Sequence, residues 1–193
     1  MKSRIFTCPV CGMVYEKESS EDESSHKRFH DRYINGVYAP RVSKKEMIVE
    51  SGHNIIFVSQ NSNKKSIELV NKSITRAECD LGTAPPLPEK WKCYMAYESS
   101  SIIGFCVIEN TVDAFLEKDP NRKVSCPIGV LRFWVSPKHR RKGIATIMVD
   151  AARHNEENEI PKCMVAFSEP TDQGMLFAKK YCGTDPFIYY LTL

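Results

Sequence analysis

From Gly129 to Ala152 the chain passes from strand to helix through a short basic turn, a passage that belongs to folds mixing helices with a sheet. Gly129 to Ser136 (Gly-Val-Leu-Arg-Phe-Trp-Val-Ser) is β-branched and aromatic, the composition of a buried strand. Ile144, Ile147, Met148, Ala151 and Ala152 then recur at helical spacing and give one apolar face. Pro137 breaks the strand, and Arg140-Arg141-Lys142-Gly143-Ile144-Ala145 leads into the helix. Such a turn aims unpaired backbone N–H groups and the positive helix end at one point. Gly143 removes the side chain where a ligand must approach the backbone, and Ala145 keeps the next turn slim. The stretch reads either as a pyrophosphate seat or as a basic turn capping an ordinary helix.

A second constellation lies near the amino terminus. Cys8-Pro9-Val10-Cys11-Gly12 is a knuckle turn, and His26 and His30 follow at i, i+4, giving Cys-x2-Cys-x14-His-x3-His. Thiolate and imidazole suit tetrahedral Zn²⁺, and two histidines four apart on a helix share one face. The spacing predicts a structural zinc site. Glu16 to Ser25 is acidic, with only Lys27, Arg28 and Arg32 as cations around its helix, so a finger reading base sequence is not expected. It reads as a folding staple or a protein-docking knob, with Tyr15 and Phe29 filling its small core.

The chain has 193 residues, enough for one domain plus a small satellite. Its net charge of +3 is too small to argue for nucleic acid by itself. No apolar run approaches the roughly 18 residues of a membrane span, and Met1 to Cys8 lacks the apolar core of a signal peptide. The cysteines outside the knuckle (Cys79, Cys93, Cys106, Cys126, Cys163 and Cys182) read as small buried hydrophobes in a reducing compartment.

Between the two constellations, residues 31–50 read as a link. His53 to Ser59 reads as a strand, Ser66 to Asp80 as an amphipathic helix (Ile67, Val70, Ile74, Ala77), and the Pro-rich segment to Glu89 as a stiff loop. Trp91 to Tyr97 and Ile102 to Glu109 flank a hairpin turn, and Asn110 to Lys123 reads as a polar insertion. A strand ending Val165 to Ser168, a helix from Gln173 to Tyr181 and a closing strand from Phe187 to Leu191 complete an α/β order around one sheet.

The run Arg-x-x-Gly-x-Ala matches the acetyl-CoA signature Arg/Gln-x-x-Gly-x-Gly/Ala of the GNAT N-acetyltransferases. Arg132-Phe133-Trp134-Val135, Phe167-Ser168-Glu169-Pro170-Thr171, Leu176-Phe177-Ala178 and Tyr181-Cys182-Gly183-Thr184, together with the amino-terminal finger, resemble the cohesin acetyltransferases of sister-chromatid cohesion. The resemblance implies a C2H2 zinc finger over 1–35 and a GNAT acyltransferase domain over 36–193. It implies acetyl-CoA as co-substrate, structural Zn²⁺, and a cohesin SMC subunit as the protein substrate, acetylated on lysine. It further implies a nuclear, chromatin-associated setting with no membrane partner. By the same matching, Phe133, Trp134, Val135, Arg140 to Ala145 (Arg140, Arg141, Lys142, Gly143, Ile144, Ala145), Glu169, Pro170 and Thr171 would contact the cofactor. Trp134 reads as core or cofactor wall.

Lysine with a pKa near ~10.4 is about one part in a thousand neutral at pH 7.4, so a proton acceptor is needed. Glu169, where the family has aspartate, is the candidate, or an ordinary exposed carboxylate. Tyr181 is either the acid for the departing thiolate or a packed aromatic. Leu131 stands where the family has a serine, so a hydroxyl relay is absent there. A GNAT acting on another protein or a small amine, or a non-catalytic CoA-binding adaptor, is the alternative.

Overall fold

The computed structural model describes residues 5–83, 85–117, 119–156, 158–183 and 187–191. The start Met1 to Arg4 and Thr184 of the Tyr-Cys-Gly-Thr run lie outside them. The chain opens with an antiparallel hairpin, β1 (Ile5–Thr7) and β2 (Val14–Glu16), followed by helix α1 (Ser20–Asn35). Ser19 caps α1 by accepting from the Asp22 N–H, and three acidic residues sit in its positive first turn. No residue of α1 is buried, so apolar packing does little to hold it.

Beyond α1 the chain enters an eight-stranded mixed sheet. Its strands are β3 (Val37–Tyr38), β4 (Met47–Glu50), β5 (His53–Ser59), β6 (Lys92–Glu98), β7 (Ser101–Leu116), β8 (Asp119–Val135), β9 (Val165–Ser168) and β10 (Ile188–Tyr190). The spatial order is β10-β9-β8-β7-β6-β5-β4, with β3 paired to β7 and β10 also meeting β7. Among the described residues only β8–β9 and β9–β10 pair in parallel. Helices α3 (Ile144–His154) and α4 (Asp172–Cys182) cover one face, and α2 (Lys64–Leu81) covers the other. The apolar faces expected for α2 and α3 are those that pack on the sheet.

Two segments differ from expectation. Residues 31–50 are no mere link: α1 continues to Asn35, and β3 and β4 join the sheet. Gly36 ends α1 at φ 100, where an added Cβ would lie 2.1 Å from the Ile102 carbonyl oxygen, so the chain grazes β7 there. The polar insertion Asn110 to Lys123 is instead the far end of the long β7–β8 hairpin. Its small apolar residues alternate inward, Val112, Ala114 and Cys126 packing with Ala166, Ile188 and Tyr190. Of the single cysteines, Cys93, Cys106, Cys126 and Cys182 are buried as expected, whereas Cys79 and Cys163 are exposed. Phe29, expected in the finger core, is 46% exposed.

Candidate metal centre and active site

The β1–β2 turn brings Cys8 and Cys11 against the face of α1 that carries His26 and His30. One donor atom from each of the four lies within 4.8 Å of the others, and Cys8 Sγ is 3.5 Å from His30 Nδ1. The Tyr15 ring stacks on His26, centroids 4.1 Å apart and 13° from parallel. That stacking does what a Tyr15–Phe29 core was expected to do. Among the described residues His26 Nε2 is buried without a hydrogen-bond partner, a costly state that a metal bond would relieve. Backbone N–H groups of Cys11 and Val10 lower the Cys8 thiol to about 6, while burial pushes Cys11 up. Two sulfur and two nitrogen donors with a ready thiolate fit Zn²⁺, the ion such a set holds tetrahedrally.

The second site opens where the sheet splits. The β8–β9 pairing runs from Ile128 opposite Val165 to Val130 opposite Phe167, and stops there. At the same level β8 carries a bulge against β7, with Leu131 the extra residue between Val130 and Arg132. The two parallel strands therefore part at their carboxyl ends, the place where open α/β sheets take ligands. Phe133 and Val135 face the α3–α4 side, and the Phe133 ring lies 5.1 Å from Phe177. One wall of the opening is the start of α4, whose Thr171 accepts from the Gly174 N–H. Glu169 stands at the end of β9, exposed and at φ 27, immediately before Pro170.

Opposite lies the turn from Ser136 to Gly143. Arg141 (φ 62) and Gly143 (φ 81) both adopt left-handed backbone, and α3 begins without a side-chain cap. Among the described residues, then, no side chain satisfies the first N–H groups of α3, the condition of an anion seat. Arg141 and Lys142 are exposed. Arg140 is engaged elsewhere: its Nε donates to the Val135 carbonyl at 2.9 Å and its Nη2 to Asp80.

Two family models match. The one described as ESCO1/2 acetyl-transferase takes residues 124–190, and the one described as zinc-finger of acetyl-transferase ESCO takes residues 2–32. The chain belongs to the ESCO acetyltransferase family. Relatives include N-acetyltransferase ESCO2 of Mus musculus, 29% identical over 95% of this chain, and N-acetyltransferase ESCO1 of Homo sapiens, 29% identical over 95%. The matched region is 34% of the first relative's length and 26% of the second's, so the chain spans about a third or less of them. Among solved structures, an xEco2 acetyltransferase domain bound to a K105-CoA conjugate superposes with a TM-score of 0.70 at 27% identity. It covers 77% of this chain and 99% of that one. The mixed sheet with flanking helices is thus the acetyltransferase fold expected from the sequence.

Within this ESCO-family fold, Phe133, Val135, Gly143, Ile144, Ala145, Glu169, Pro170 and Thr171 all lie on the segments that border the opening between β8 and β9. Trp134 points to the opposite face, buried against Phe105 and donating from Nε1 to Asp80 at 2.9 Å. Tyr181 is buried, stacks on Phe177, and donates its hydroxyl to Asp150 at 2.6 Å. Burial and that bond push its pKa well above the ordinary tyrosine range. Asp80 escaped sequence reasoning. It closes the last turn of α2, but its partners are 47 to 60 residues away for Tyr33, Trp134 and Arg140, so no local pattern marks it.

Proposed function

We propose that this chain is an acetyl-CoA-dependent protein-lysine N-acetyltransferase whose substrate is a cohesin SMC subunit, acting on chromatin in the nucleus. In this reading residues 1–35 form the zinc-binding unit and residues 36–193 the catalytic domain. The observation that carries it is the parting of β8 from β9 beside the left-handed entry to α3. One edge of β8 is left there for pairing with an extended amide-bearing ligand, and the N–H groups of α3 meet its phosphates. Family membership and the relatives' printed names support the acetyl donor; the K105-CoA conjugate of the xEco2 domain supports a lysine acceptor.

The chain's own residues divide the work as follows. The backbone from Phe133 to Val135 holds the pantetheine arm and offers an N–H to the thioester oxygen as charge develops there. Arg141, Lys142 and the N–H groups after Gly143 take the pyrophosphate. Glu169 accepts the proton of the lysine ammonium, directly or through water, a service typically worth ~10²–10⁴ in rate. The freed amine attacks the thioester carbonyl, the C–S bond breaks, the nitrogen gives up its second proton to water, and the thiolate leaves to be protonated. Tyr181, its hydroxyl committed to Asp150, serves to brace α4 against α3 and leaves that last proton to solvent.

The test is turnover of the purified chain with acetyl-CoA and a cohesin SMC head fragment, read by mass spectrometry. Acetyl-lysine on the fragment is the expected product. Acetylation of other proteins or small amines alone would replace the substrate, and CoA binding without turnover would leave an adaptor.

A further inference from the structure

The carboxylate of Asp80, only 7% exposed, gathers four donors, two on each oxygen. Tyr33 Oη and Arg76 Nη1 donate to Oδ1, at 2.5 and 3.1 Å. Trp134 Nε1 and Arg140 Nη2 donate to Oδ2, at 2.9 and 2.5 Å. These donors come from α1, α2, β8 and the basic turn. Arg76 ties the cluster further, donating to the Tyr33 carbonyl at 2.8 Å and lying over the Tyr33 ring at 3.8 Å. A second strut runs beside it, from Lys138 Nζ to Asn35 Oδ1 at 2.8 Å. The last turn of the helix bearing His26 and His30 is thereby fastened twice to the segment that ends at Gly143.

We propose that Asp80 is the positioning residue of the cofactor turn, holding Arg140 as an anchor rather than a phosphate ligand and linking that anchor to α1. The proposal rests on the turn being the pyrophosphate seat. Arginine grips an anion best through two parallel N–H donors. The Nε and Nη2 donors of Arg140 are already used, on the Val135 carbonyl and on Asp80. Moving them to a phosphate would strip a cation from a buried carboxylate, which is strongly unfavourable. Arg140 instead pins the turn across the end of β8, which leaves Arg141 and Lys142 facing outward and fixes where the first N–H groups of α3 point. Tyr33 completes the chain of contacts, so order in α1 is felt at the turn through Asp80 and Arg140.

Calorimetric titration with coenzyme A tests this on the full chain. Gly143→Glu examines the seat alone: if its dissociation constant equals wild type, the seat reading fails and Asp80 loses its object. With the seat upheld, Asp80→Asn, which keeps shape but not charge, should raise the dissociation constant about tenfold, the worth of one charge-assisted hydrogen bond. Tyr33→Phe should raise it about threefold. Arg140→Ala should add little on top of Asp80→Asn, because both remove one link. A merely structural defect would lower the binding stoichiometry at unchanged affinity, and that result overturns the proposal. So does tighter binding by Asp80→Asn, which would mean that Asp80 restrains a phosphate-binding arginine. Should Asp80→Asn not fold, Tyr33→Phe decides, an unchanged dissociation constant being the overturning result.

Discussion

Glu169 occupies a backbone state that glutamate avoids, and replacing it by glycine separates stability from chemistry. Its φ of 27 lies in the left-handed region, and it precedes Pro170, which further restricts it. A side chain there costs roughly 1–2 kcal/mol. Its exposed side chain makes no hydrogen bond or ion pair among the described residues, so deleting it forfeits no contact. Glycine relieves the strain but costs about 0.5–1 kcal/mol in chain entropy. The net gain for Glu169→Gly is about 0.5–1 kcal/mol, which at this size should raise Tm by about 1–4 °C. If Glu169 is the proton acceptor, turnover should fall on the order of 10²-fold or more, and Glu169→Gln should fall equally without the thermal gain. Thermal unfolding and single-turnover acetyl transfer, on the same preparations, measure both. A glycine variant that melts at or below wild type refutes the strain, and one that turns over normally removes the base.

Removal of zinc by a chelator should cost most of the far-UV helical signal of α1, which buries no residue of its own, and zinc should restore it; an unchanged spectrum after verified metal loss would show the hairpin folding unaided. The same treatment should weaken coenzyme A binding measurably through Tyr33 and Asp80, although the finger's composition offers no cofactor contact. Burial pushes the Asp80 carboxyl up, but the bonds from Tyr33, Trp134 and Arg76 outweigh it and hold the pKa below the usual value. Its stabilisation is therefore complete above about pH 4 and lost as pH falls through the depressed value. Urea midpoints should show Asp80→Asn less stable than wild type at pH 7, with the gap narrowing as pH falls below about 4; a gap that stays constant however far the pH is lowered would mean the charge is not what matters.

The metal set and the strand–turn–helix passage were legible in the sequence because each depends on neighbours in the chain. Cys-x2-Cys fits one turn, and His-x3-His fits one helix face. The strand before Pro137 and the helix after Gly143 announce themselves by composition and period. What stayed hidden depends on distant partners. Val112 and Ala114 look like parts of a polar loop until Ile188 and Tyr190, from the other end of the chain, cover them. The strands Val37–Tyr38 and Met47–Glu50 are too short to show a period, and pairing with β7 and β5 alone makes them strands. Asp80 reads as an ordinary acidic residue near a helix end, where negative charge is if anything unfavourable. Only the converging donors from Tyr33, Arg76, Trp134 and Arg140 make it central.

Leu131 raises a separate question, because the family resemblance puts a serine there and a hydroxyl could relay a proton. In this chain Leu131 is the bulged residue of β8, and its side chain packs with the cluster under α2 that includes Val70, Ala77 and Trp134. The residue is partly buried, so truncating leucine to serine forfeits a share of the ~0.8 kcal/mol that each buried methylene contributes. It also adds a hydroxyl to an apolar surround, where a missing partner costs about 1–3 kcal/mol. A total of roughly 2–4 kcal/mol follows, and Leu131→Ser should melt about 4–16 °C lower. No gain in turnover should accompany the loss, since a hydroxyl facing this cluster has no proton to pass. Thermal unfolding and pH–rate profiles of wild type and Leu131→Ser decide the matter. A serine variant that turns over faster at neutral pH, with the advantage fading as the substrate lysine becomes neutral at high pH, would mean that the bulge faces the reacting amine. The packing of Leu131 would then be the cost of a lost relay.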